Sequence, residues 1–542
     1  MVKNMDKKII IAGVIVLLVI IVAAFSFMGG SKDSDPTHLT VAAHSNIPEP
    51  EAGFNPLTGW GCGHQNYNPL VQSCLFKTDK SGDIVPDLAT DYSISDDGLK
   101  WTVNVRDDVK FSDNSTFDAE DVAFTFNTAK ATESELDLTN IKDVKATNKT
   151  TVEFTLEEPR STFIYDLRYV GIVPSDSYDN STYGEAPIGT GPYVLDHWDK
   201  GQQAIFKVND NYYGDKPYFT QITLLFPEEA TWLELAKSGD VDVVPVATSA
   251  LNQTVDGYQF AEKSAGRAQG VSLPYLEDTG IVTNDSYKVG NNVTADKAIR
   301  EALNVGVDRQ KMCDEVFSGH ASPEYTGVDT RDYANDNAKV QDGNVDEAKK
   351  ILKEGGWEDT DGDGIVEKDG VKASFDLYYP PDYLDRQSLS TVFAEQAKEL
   401  GIEVNLKGAD WDTIYANMYS SAALMQQTSP DPYKSIYQQY HSKEADGFYM
   451  NPNLYNNSVS DAFMEQAMHS NDFNQANSLW ADSANSGGQG WGPAADAPWV
   501  WLANYDYNYF IKDGIDIGEQ PDGLGNDVLI NVCDWTRTNS TA

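Results

Sequence analysis

The chain has 542 residues, more than one hydrophobic core usually organises, so two or three domains are expected. Its 84 acidic residues against 40 basic ones leave a net charge of −44, which excludes nucleic acid and anionic lipid as partners and suits an exported protein kept soluble by self-repulsion. Hydrophobic residues make up 40% and aromatic ones 11%, a globular balance whose Tyr and Trp serve cores and recognition clefts equally well.

At the N-terminus, Lys3, Lys7 and Lys8 precede a nearly unbroken apolar run from Ile9 to Met28. Such a run is long enough to cross a bilayer as a helix, with the basic flank inside and the acidic bulk outside. A cleaved signal peptide is the alternative. Residues 1–36 are therefore expected to be a cytoplasmic tip, an anchor or signal segment, and a linker. Cys62, Cys74, Cys313 and Cys533 permit three disulfide connectivities in an exported chain, and no Cys or His spacing indicates zinc. Sequons at Asn114, Asn148, Asn180, Asn252, Asn284, Asn292, Asn456 and Asn539 fit an extracellular, glycosylated surface.

Leu39–Ala43 reads as the first strand, followed by a long loop rich in Gly, Pro, Trp and Asn. Loops leaving the strands of an α/β sheet often carry ligand sites, which makes Trp60, His64 and Tyr67 pocket candidates. From Ile84 to Val122 the pattern becomes regular. An extended entry, a polar hairpin at Ser95–Gly98 and a strand with Trp101, Val103 and Val105 on one face lead to a helix. Asp118 is its expected N-cap, with Glu120 and Asp121 in the first turn and Val122 and Phe126 at helical spacing. The order Pro-Asp-Leu-Ala, Asp-Gly turn, Trp-x-Val-x-Val-Arg-Asp-Asp-Val-Lys-Phe-Ser-Asp, Phe-Asp-Ala-Glu-Asp-Val resembles a signature of the extracellular solute-binding proteins, family 5, of dipeptide, oligopeptide and nickel ABC importers.

Later segments continue the resemblance. Val152-Phe154-Leu156 alternates as a strand. Ala186–Tyr193 (APIGTGPY) reads as a tight turn into a strand at Tyr193, since Pro192 removes a donor and no Lys follows for a phosphate loop. Asn209–Gly214, the strand Ile222-Leu224-Phe226 and the helix–turn–strand Leu235–Val243 follow in the family's order. Ile281–Asn284 reads as a strand crossing between lobes, and Ala295–Val305 as a helix before a second one capped by Asp308. Asp359, Asp361 and Asp363 with Gly364 approach a calcium loop, although position twelve is Gly370 where a bidentate Glu belongs. A helix through Leu389–Leu400 leads to the strand Ile402-Val404-Leu406. Ser429-Pro430-Asp431-Pro432-Tyr433 resembles the family's cleft loop, and Ala497–Leu502 its returning strand.

The resemblance covers about residues 39 to 520. It implies an α/β fold of the two-lobe periplasmic-binding-protein type, in its large three-subdomain form with an interlobe ligand cleft. Lobe I would span 37–280 with an inserted subdomain at about 70–185, lobe II 281–498, and 499–542 would return to lobe I. Hinge closure would trap a small solute and deliver it to a permease and ATPase, with the protein a monomer on the cell surface. No nucleophile elbow, zinc helix or phosphate loop supports an enzyme, so a secreted hydrolase is disfavoured. A receptor presenting ligand to a sensor stays open. Peptide-binding members place an aspartate three residues before the Asp-Pro pair, and here that position is Thr428, which carries no charge. Asp431 is a substitute acceptor, and Arg168, Tyr169 and Tyr433 are further cleft candidates. No cofactor is required. Ni²⁺ is a candidate cargo as a chelate, with His44, His64 and His441 in loops and His441 the preferred ligand; Ca²⁺ at the Asp359 loop is the structural alternative.

Overall fold

The structure, a computed structural model, describes residues 35–44, 49–50, 53–58, 70–132, 136–445, 450–521 and 528–538. The apolar N-terminal run, Trp60, His64, Tyr67 and Cys62 lie outside these residues. Among the described residues no helix is long and apolar enough to cross a membrane.

The architecture is built on one 11-stranded mixed sheet. At its centre run two long antiparallel strands, Tyr258–Ser272 and Trp499–Lys512, paired over almost their full length. These two hinge strands each belong to both halves of the sheet. On one side, Ala422–Gln427, Ser374–Tyr379 and Glu403–Gly408 extend it, the last three parallel to one another. On the other side lie Val243–Pro245, His38–Ala42 and Gln221–Leu225, also mutually parallel, followed by the hairpin Gln203–Val208 and Tyr193–Asp199. Ala321–Pro323 adds to the returning hinge strand.

Separate hydrophobic cores flank this sheet. One is organised by Leu39, Tyr193, Phe206, Ile222, Tyr509 and Trp535. Another lies over Ile299, Leu303, Leu377, Phe393 and Leu424, and a third over Tyr440, Trp480, Trp491 and Trp501. A four-stranded antiparallel sheet (Ala89–Ile94, Lys100–Val105, Thr151–Leu156, Ile141–Asn148) makes a core of its own with the helix Ala119–Ala131. The alternation read from the sequence holds there, because Trp101, Val103 and Val105 are buried while Asn104 faces out to bond Asp91. Asp118 caps the helix as expected and forms a capping box with Asp121, whose Oδ2 accepts the Asp118 N–H at 2.9 Å.

The Gly-Thr-Gly turn has a steric reason. A Cβ on Gly189 would lie 2.0 Å from the Val71 carbonyl oxygen, and one on Gly191 2.5 Å from that of Leu70. The turn docks on that backbone through the Gly191 and Tyr193 N–H groups, which donate to Val71 and Leu70. One expected strand fails. Ile281–Asn284 makes only an isolated bridge, Val282 to Lys288, and Ile281 and Val282 are exposed. The crossing is made instead by Tyr258–Ser272, so this segment is a surface excursion without a sheet neighbour to bury it.

Candidate functional site

The strand Ala422–Gln427 and the loop after it organise the site. Ala422, Ala423 and Leu424 are buried apolar residues that fix the strand in the sheet. The strand then turns polar, and Pro430 and Pro432 stop it. Asp431 starts the following turn: its Oδ1 accepts the Tyr433 N–H at 2.9 Å and its carbonyl accepts Ser435 N–H.

Gln426 is the focus of a first cluster. Its Oε1 accepts from Arg267 Nε at 2.9 Å, from Gln269 Nε2 at 2.8 Å and from Arg386 Nη2 at 2.9 Å. Arg267 comes from the first hinge strand, and its guanidinium lies 4.4 Å over the Tyr505 ring and 5.1 Å from that of Tyr507 on the second. Arg386 opens the helix Leu384–Glu399 between the Tyr383 and Trp411 rings, at 4.6 and 5.2 Å. Asp385 supplies a carboxylate, 3.9 Å from Arg267 and accepting from the Tyr505 hydroxyl. Two buried guanidiniums thus face one carboxylate and a neutral amide oxygen. Burial, with Arg267 alongside, draws the Arg386 guanidinium below its ordinary value. Arg386 is only 6% exposed, yet its Nε and Nη1 have no acceptor among the described residues. A buried donor left so is costly, and an anionic group is the acceptor that relieves it.

His44 stands beside this cluster, 4.9 Å from the Trp232 ring and 4.5 Å from that of Tyr507. Burial and then the Arg267 charge push its pKa well down, so the imidazole is neutral at physiological pH.

A second cluster surrounds Asp431. Arg160 Nη2 lies 3.6 Å from Asp431 Oδ2, and Arg160 Nη1 lies 3.2 Å from Asp166 Oδ2. The guanidinium also sits 4.1 Å over the Tyr433 ring, while Lys434 Nζ covers the Tyr169 ring at 4.7 Å. Asp431 and Tyr433 therefore converge with Tyr169, while Arg168 donates to Thr78 Oγ1 at 2.7 Å and its charge still reaches Asp431. Thr428 lies between the clusters, its carbonyl accepting from Arg331 Nη2 at 3.1 Å.

The metal candidates stand apart. His441 is buried, stacked on Tyr437 at 4.2 Å; its Nδ1 accepts the Lys443 N–H at 3.1 Å and its Nε2 faces Glu465 at 3.3 Å. Asp359, Asp361, Asp363 and Glu367 do bring carboxylate oxygens within 4.8 Å of one another. The Lys372 ammonium sits among them, 3.1 Å from Asp361 and in contact with Asp363.

Sequence reasoning missed Arg160, Arg267, Asp385, Arg386 and Gln426. One signal was available: the chain has nine arginines in all. Five of them, Arg160, Arg168, Arg267, Arg331 and Arg386, act on Gln426, Thr428 or Asp431.

A family model described as bacterial extracellular solute-binding proteins, family 5 Middle, matches residues 83–447. The chain is 30% identical to protein XP55 of Streptomyces lividans over 501 residues, covering 90% of this chain and 86% of that one. It is 30% identical over 362 residues to the nickel-binding periplasmic protein of Escherichia coli, covering 65% and 67% of the two. Its fold is similar to that of the oligopeptide-binding protein AppA of Bacillus subtilis in complex with a nonapeptide, at a TM-score of 0.70 and 24% identity over 93% and 99% of the two chains. With a profile match across most of its length and the same two-lobed architecture, the chain belongs to the extracellular solute-binding proteins of family 5.

Proposed function

We propose that the protein captures a small carboxylate-bearing solute, a peptide or a nickel chelate, and hands it to the permease and ATPase of an ABC importer. The observation that carries this reading is the pair Arg267 and Arg386 gathered on Gln426, with two buried Arg386 donors lacking an acceptor among the described residues. A carboxylate of either cargo would complete that arrangement, in the bidentate manner to which a guanidinium is suited. Thr428 offers no charge to a peptide ammonium, and Asp431 is already engaged by Arg160. Both features lean towards a cargo recognised through its anionic end.

In this reading lobe I takes in residues 37–280 with an inserted subdomain at about 70–185, lobe II residues 281–498, and 499–542 return to lobe I. The hinge strands Tyr258–Ser272 and Trp499–Lys512 join them. The protein acts as a monomer at the outer face of the membrane, held by its N-terminal segment.

Mass spectrometry of the solute that co-purifies with native protein tests the reading. An acid or chelate is expected in wild type, and Arg386→Met should retain at least tenfold less of it while melting as a folded protein. Equal retention by Arg386→Met would refute the role of the guanidinium pair.

A further inference from the structure

Arg160 stands where two separately cored parts of the molecule meet. It precedes the helix Phe163–Tyr169, which packs into the core of the four-stranded sheet. Asp431 and Tyr433 belong to the loop that packs on the Tyr440–Trp480 core. Arg160 is buried, with a side chain 3% exposed, and so are Asp166 at 11% and Asp431 at 4%. Two contacts beside it cross the same boundary: Ser161 N–H donates to the Met468 carbonyl at 2.8 Å, and Asn471 Nδ2 donates to the Ser95 carbonyl at 3.2 Å.

We infer that Arg160 is a positioning residue for solute capture, acting as an ionic latch that closes on Asp431 when the two parts come together. The inference rests on the proposed solute-capturing function. When the cleft opens, Arg160 keeps Asp166, which is six residues away on its own side, while Asp431 returns to water. Closing takes the Asp431 carboxylate out of water: its Oδ1 keeps the Tyr433 N–H of its own loop at 2.9 Å, and across the boundary its Oδ2 meets Arg160 Nη2 at 3.6 Å. A buried carboxylate without its cation is strongly disfavoured, so the closed arrangement depends on Arg160 far more than the fold of either part does. Arg160 is the largest of the charges that favour the Asp431 carboxylate, ahead of Lys434, which also covers the Tyr169 ring, and Arg168, which also donates to Thr78, while Asp137 adds negative charge to the cluster.

The latch is wired to the cleft by covalent geometry. Asp431 follows Thr428 by three residues and Gln426 by five, with Pro430 and Pro432 limiting the flexibility between. A solute that fixes Gln426 through the paired arginines therefore also fixes the depth at which Asp431 meets Arg160. The stack Tyr433–Tyr437–His441, with ring separations of 5.5 and 4.2 Å, backs the latch from behind.

The test is the separation of nitroxide labels at Lys142→Cys and Asp482→Cys in the exported part of the chain, measured by pulsed electron spin resonance as purified, with the co-purifying solute weighed on the same samples. Wild type should show a populated short distance. Arg160→Met should lower the closed-to-open ratio about tenfold with little change in melting temperature, and Arg160→Lys should restore part of it. Asp431→Asn should act in the same direction, and the double variant should add little to either single one. An unchanged distance distribution in Arg160→Met, additive effects in the double variant, or a wild type found only open would each overturn the latch. If wild type closes but carries no solute, the capturing function fails while the latch stands. Should Arg160→Met not fold, the Asp431→Asn distances decide alone.

Discussion

Asp166 shows how a single buried group sets a pH dependence. Burial pushes its carboxyl up to about 6, although Arg160 beside it pulls the other way. A carboxyl whose folded value is raised above its unfolded one favours the fold fully below the unfolded value, near 3.8, and loses that contribution as pH rises through about 6. Stability of the wild type should therefore decline across that window, and Asp166→Asn should flatten the decline by on the order of 1 to 3 kcal/mol. Thermal melts of both proteins from pH 4 to 8 check this; parallel curves would refute it. At the same scale, Gly189→Ala forces a Cβ against the Val71 carbonyl, and urea melts should show a loss of about 2 kcal/mol or more.

Among the elements, the helix Ala119–Ala131 was readable almost residue by residue. Its cap, acidic first turn and apolar spacing are all local signals, and each is where the sequence places it. Asp118→Ala removes the capping-box acceptor for the Glu120 N–H, at 2.9 Å, and should lower stability by about 1 kcal/mol in chemical denaturation. The first hinge strand was not readable. Its run Tyr258-Gln-Phe-Ala-Glu-Lys-Ser-Ala-Gly-Arg-Ala-Gln-Gly-Val-Ser mixes charges and glycines in a way that suggests a loop. The physical reason is that its two halves meet different surroundings: the first is largely half-buried or exposed, while the second is buried even at Arg267, Gln269 and Ser272. A strand serving two environments shows no single period. Gly270 follows from the same crowding, since a Cβ there would lie 2.6 Å from the Trp501 ring. Ile281–Asn284 misled in the opposite sense, because two apolar residues in a row imitate a strand that lacks a partner.

For the whole molecule, a solute bound by both sides of the cleft stabilises the folded closed form by mass action. At a free concentration a hundredfold above its Kd, the gain is about 2.7 kcal/mol. Protein unfolded and refolded to strip its solute should melt several degrees below the native preparation and recover on adding back the released small-molecule fraction. Identical melting of stripped and native protein would argue that no solute is carried.

The sequence by itself determined the family and many of the scaffold elements, because turns, caps and alternation are written in residues a few positions apart. It also marked the loop from Thr428 to Tyr433 as a candidate cleft loop. Only the tertiary structure decided which charges gather beside it, on Gln426. Arg386 and Arg267 lie 40 and 159 positions from Gln426, and nothing local distinguishes them from surface arginines. Three chain segments that meet only at the hinge bring them together, and the burial that makes their charges consequential exists only once that meeting has occurred.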